Sequence, residues 1–113
     1  MKMTEYNLES GRPPADVAVS RLASITAREK AARKKAFKII HGYGSSGVGG
    51  RIRTEARRWL ATEKARGRIK AFIPGEDFSI FSADTRALFE VMPEARQDRD
   101  LERGNMGVTV IVL

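Results

Sequence analysis

The chain is predicted to be α/β: a two-layer sandwich of a mixed sheet of about four strands and two main helices, with an acidic insertion before the last strand. Three observations predict it. Segments in which apolar residues alternate are interleaved with segments in which they recur every three or four residues. Turn formers stand between them: Ser10-Gly11, Pro13-Pro14, Gly67 and Pro74-Gly75. The closing run Gly107-Val108-Thr109-Val110-Ile111-Val112-Leu113 is almost continuously apolar and β-branched, as in a strand buried on both faces. A length of 113 residues suits one domain over 1–113, with 76–106 as a variable acidic insertion.

In chain order, Tyr6-Asn7-Leu8 reads as a first strand. A helix follows, with Pro14 in its first turn, Asp16 at its positive end, and Ala18, Val19, Leu22 and Ile25 as its apolar stripe. Toward its end come Arg28, Lys30, Arg33, Lys34 and Lys35, cations suited to a helix C-terminus. Ala36 to His41 is the second strand, with Phe37, Ile39 and Ile40 as its apolar content. Ile52, Ala56, Trp59 and Leu60 mark the buried face of a second helix, predicted to start near Arg51 and to end near Gly67. Ile69 to Ile73 alternates as a third strand, and Phe78 to Phe81 is expected to extend the sheet by a hairpin. Asp84 is expected to cap a short helix carrying Leu88, Phe89 and Met92, and Pro93 to Arg103 reads as charged turn. The alternation predicts parallel neighbours joined by right-handed crossovers.

Charge is unevenly distributed within a net +7. Residues 1–75 carry 17 Lys and Arg against 6 Asp and Glu, whereas residues 76–113 carry 4 against 8. From Arg28 to Lys70 there are 14 cations, opposed only by Glu29, Glu55 and Glu63. Such a field favours polyanions, of which DNA or RNA is the commonest. No cysteine is present, so disulfides and thiolate metal sites are excluded. With one histidine, no metal site is expected, and no nucleotide or other cofactor is assigned. The N-terminus lacks a signal-like apolar run and no stretch is long enough to span a bilayer, so a soluble, cytoplasmic protein without a membrane partner is expected.

Five of the ten glycines lie between 42 and 50, between the second strand and the second helix. A loop without Cβ atoms, leading into a helix N-terminus, approaches anions closely. Gly42, Tyr43, Gly44, Ser45, Ser46 and Gly47 are therefore candidate phosphate contacts, joined by Arg51, Arg53 and Arg57 and by Lys34 and Lys35. Gly42-Tyr43-Gly44-Ser45-Ser46-Gly47 matches Gly-x-Gly-x-x-Gly, but the helix is expected to start several residues later and no carboxylate ends the next strand, so a dinucleotide site is not predicted. His41, the one imidazole, has two open roles. It either handles phosphate or a proton at the loop, or bonds the backbone to fix the loop.

The run from His41 to Arg53, with Ala56, Trp59-Leu60, Ile69, Phe72 and the closing strand, resembles the Smr (small MutS-related) domain. The resemblance covers about residues 4–75 and 104–113. It implies a βαβαββ-like fold similar to the C-terminal domain of translation initiation factor 3. It also implies binding of DNA or RNA and, in some members, metal-assisted endonuclease activity. By motif position His41, Gly42 and Gly44 would be loop residues and Arg53 the arginine that opens the helix. Where relatives carry an acid and a histidine at the end of the first strand, this chain has Asn7 and Glu9. Glu9 and His41 are thus the candidate catalytic pair, with Mg or Mn needed only for a nuclease. A third expectation is an adapter, in which Leu88, Phe89 and Met92 of the acidic insertion bind a protein or ribosomal partner.

Overall fold

The computed structural model describes residues 2–43 and 48–113. Four strands, β1 (Thr4–Asn7), β2 (Ala36–Ile40), β3 (Ala71–Pro74) and β4 (Val108–Val112), form one mixed sheet in the order β1-β2-β4-β3. β1 and β2 are parallel, with Tyr6 opposite Ile39. β4 runs antiparallel to both its neighbours, pairing Val110 with Lys38 and with Ile73. The expected parallel neighbours are thus realised once. β4 lies between β2 and β3, because its five buried residues have apolar surface to cover on both faces and only a central position does so.

Helices α1 (Ala15–Ala31) and α2 (Val48–Ala65) cover one face. Ala18 and Leu22 of α1 and Ile52, Ala56 and Leu60 of α2 pack with Phe37, Ile39 and Ile111. Pro14 sits at the N-cap of α1, one position before the helix, where its fixed φ of −57° needs no N–H. The buried stripe of α1 departs from expectation: it runs Ala18, Leu22, Thr26, Glu29, while Val19 and Ile25 lie half-buried. Thr26 bears burial because its hydroxyl donates to Leu22 O at 2.8 Å. Trp59 packs against this cluster, as its spacing predicts.

The segment 76–106 is a third layer and not a solvated insertion. After a 3₁₀ turn at Gly75–Asp77 comes α3 (Ala83–Val91), then a second 3₁₀ turn at Pro93–Gln97. Phe78, Leu88, Phe89 and Ala95 pack with Met3, Ile73, Val110 and Val112 on the face away from α1 and α2. The predicted hairpin at 78–81 does not form. Phe78 turns into this core, and Ser82, not Asp84, caps α3, its Oγ accepting from Thr85 N at 3.3 Å. Burial of Leu88 and Phe89 also removes the patch that an adapter would present.

Lys38 locks this layer down. It is fully buried at the centre of β2, and its Nζ donates to Glu5 (2.9 Å), Asp98 (2.8 Å) and Asp100. Burial pulls its pKa down, but the hydrogen bonds it donates to the three carboxylates outweigh that and raise it. No helix among the described residues is long and apolar enough to cross a membrane.

Candidate functional site

The C-terminal ends of β1, β2 and β3 and the start of β4 meet at one end of the sheet, the position where ligands bind in open α/β sheets. Here the chain leaves β2 and is held at once: the N–H groups of His41 and Gly42 both donate to Gly107 O, at 2.9 and 3.0 Å. Gly42 has φ +70°, and a Cβ on it would overlap the Glu9 carboxylate. Glu9 thus lies against the loop base. It follows β1 in a turn, where Asn7 Oδ1 accepts from Glu9 N at 2.9 Å. Gly42→Ala is expected to destabilise the domain by about 1–3 kcal/mol through the left-handed backbone and the displaced carboxylate. Chemical denaturation of the variant beside the wild type checks this.

His41 has no exposed surface. Its Nδ1 lies 2.6 Å from Gly42 O and its Nε2 2.8 Å from Thr109 Oγ1. The same Oγ1 accepts from Arg57 Nε at 3.1 Å. A backbone carbonyl can only accept, so Nδ1 carries the hydrogen given to Gly42 O; burial keeps the ring neutral, so Nε2 accepts from the Thr109 hydroxyl, whose lone pair takes Arg57 Nε–H. The imidazole is therefore the neutral Nδ1–H tautomer, clamped between β4 and the loop. Burial, aided by the Arg57 and Arg53 charges, lowers its pKa to about 4. With both nitrogens engaged inside the protein, the geometry favours loop fixing over proton transfer to a solvent-side phosphate.

Arg57 extends this chain to the next turn. Its Nη1 and Nη2 donate to the two oxygens of Glu76, each at 2.8 Å, and Arg53 Nη2 donates to Glu76 Oε2 at 2.8 Å. The Arg57 fork, with help from Arg53, holds the Glu76 carboxyl down to about 2 against the upward push of burial. Glu76, Arg57, Thr109 and His41 form one hydrogen-bonded line from the Gly75 turn to Gly42.

The predicted site residues are divided by the fold. Gly42, Tyr43, Glu9, His41, Arg53 and Arg57 gather at this end, with Tyr43 and Arg51 exposed there. Gly44, Ser45, Ser46 and Gly47 lie outside the described residues. Lys34 and Lys35 are not in the last turn of α1. The helix stops at Ala31, and both stand in the turn into β2, at the opposite end of the sheet.

α2 starts at Val48, closer to Gly47 than expected. A dinucleotide unit is still not formed, because β4 separates β2 from β3. For a divalent ion the residues do not make a ligand set: among the described residues no three His, Asp or Glu are placed to hold a metal. Sequence reasoning missed Glu76 and Thr109. The available signals were a carboxylate directly after Pro74-Gly75 and a lone hydroxyl inside an apolar strand. Comparison with protein-family models and with curated proteins finds no match.

Proposed function

We propose that this domain binds nucleic acid through phosphate contacts at the Gly42 end of the sheet, with Arg51 and the exposed ring of Tyr43 facing the polymer. One observation carries the choice of a polyanion, while Arg51 and the glycine-rich turn after β2 are what place the contact at the Gly42 end. Of the 14 cations between Arg28 and Lys70, five (Lys38, Arg53, Arg57, Arg58, Arg68) form ion pairs; the other nine are exposed and lie in no ion pair among the described residues. Uncompensated charge at that density is what counterion release from a polyanion rewards. The resemblance to the Smr domain supports the same function. Arg53 and Arg57 converge on Glu76, and a phosphate would meet them only by taking the place of that carboxylate.

Fluorescence anisotropy with mixed-sequence DNA and RNA oligonucleotides at low salt tests this. Arg51→Ala is expected to weaken binding about three- to tenfold, equally for every sequence, since phosphate contacts carry no sequence information. A loss confined to one sequence, or no detectable binding by the wild type, overturns the reading.

A further inference from the structure

A second group of cations stands at the far end of the sheet from Gly42. Lys2, Arg33, Lys34 and Lys35 line a groove of about 190 Å³, with Val91 and Met92 on one wall and Glu94 as its single carboxylate. All four cations are exposed, and none is in an ion pair among the described residues. The net positive charge of the groove lining favours an anion such as a phosphodiester group.

The backbone adds an independent observation. Arg33 has φ +59°, in the left-handed region where a side chain is disfavoured and glycine is the usual residue after a helix end. The turn is held by Arg33 N donating to Lys30 O at 2.9 Å and Lys34 N to Glu29 O at 3.0 Å. The chain thus keeps a cation in the groove where glycine would fold at lower cost, as it also keeps Arg12 and Glu102 in the left-handed region elsewhere.

Position decides what the groove would hold. The five residues of β2 separate it from the Gly42 end by roughly 17 Å at about 3.3 Å per residue. The two surfaces face opposite ways along the strands, so one short polymer segment has to turn round the domain to meet both. Val91 is the one large exposed apolar side chain in the groove, too little for insertion into a lipid surface. We infer that this groove is a second phosphate-binding surface, so that one domain holds two nucleic-acid segments together; this rests on the reading that the Gly42 end binds nucleic acid.

The test is binding stoichiometry, measured by calorimetry with short mixed-sequence DNA and RNA oligonucleotides and paired with sedimentation to confirm a monomeric chain. Two oligonucleotides per chain are expected for the wild type, and one for R33G/K34Q/K35Q, with a salt slope shallower by about 0.7 to 0.9 per lost contact at the second surface. Arg33→Gly alone is expected to raise the thermal midpoint by about 4 °C while weakening the second binding event, a pair of effects that misfolding cannot give. One oligonucleotide per wild-type chain, or two per triple-variant chain, overturns the second surface while leaving the first intact. Capture of phosphatidylserine vesicles that is lost in the triple variant, with no second oligonucleotide bound, assigns the groove to a membrane and overturns the inference. Absence of any oligonucleotide binding overturns both surfaces.

Discussion

Lys38→Met is expected to lower the unfolding free energy by about 3–5 kcal/mol at pH 7. The side chain is fully buried, and Glu5, Asp98 and Asp100 converge on its ammonium from β1 and from the segment after α3. Removing the cation leaves three carboxylates facing one another with little solvent. Methionine fills the volume, so the loss reports charge and not a cavity. Neutralising Asp98 and Asp100 to Asn in the same background is expected to recover a large part of it, a coupling that a double-mutant cycle measures.

The sign with pH follows from the same groups. Hydrogen bonds donated by Lys38, joined at Asp100 by one from Asn105, outweigh burial and hold the carboxyls of Glu5 and Asp100 below their ordinary values. Their contribution is present above the unfolded pKa near 4 and is lost as pH falls through the lower folded values. Wild type and Lys38→Met are thus expected to differ most at neutral pH and to converge in acid. Equal stability at pH 7 would contradict the assignment of Lys38 as the lock on the third layer.

His41 gives the second large effect. Its folded pKa of about 4 lies below its ordinary 6.5, so the unfolded chain binds a proton between those values that the native state refuses. Stability is at its full value above pH 6.5, then falls by about 1.4 kcal/mol per pH unit, reaching a loss of about 3 kcal/mol near pH 4. His41→Gln should flatten this window, at a constant cost of about 1–3 kcal/mol from disturbed bonds to Thr109 and Gly42. Thermal or urea unfolding across pH 4.5–7.5 measures both. A pH dependence identical in the two proteins would place the imidazole in solvent and undo the clamp.

Much of the fold was legible because apolar periodicity reports burial directly. Ile52, Ala56, Trp59 and Leu60 set the inner face of α2, and Val108 to Val112 announced a strand covered on both sides. What escaped was polar burial. Thr26 and Lys38 sit inside because a carbonyl one turn back, or carboxylates far along the chain, accept their hydrogens, and no local pattern encodes such a partner; Glu29 is buried with its Oε1 unpartnered among the described residues. The acidic stretch misled for the same reason: Asp98 and Asp100 read as solvated charge until Lys38 stood opposite them.

At the site, glycine content located the loop end and the adjacent arginines. The line from Glu76 to His41 was not legible, since it joins residues 35 positions apart through β4. The position of Lys34 and Lys35 was lost with the end of α1, which Arg33 closes in a conformation usually left to glycine.

Binding of a nucleic-acid backbone is tested most directly by the salt dependence of affinity. Titrating a mixed-sequence oligonucleotide at about 50 to 200 mM monovalent salt is expected to give a log–log slope of about −3 or steeper, the release of counterions from four or more phosphates. A slope near zero, or no binding at about 50 mM salt, where the nine exposed cations that lie in no ion pair among the described residues should act most strongly, would contradict it.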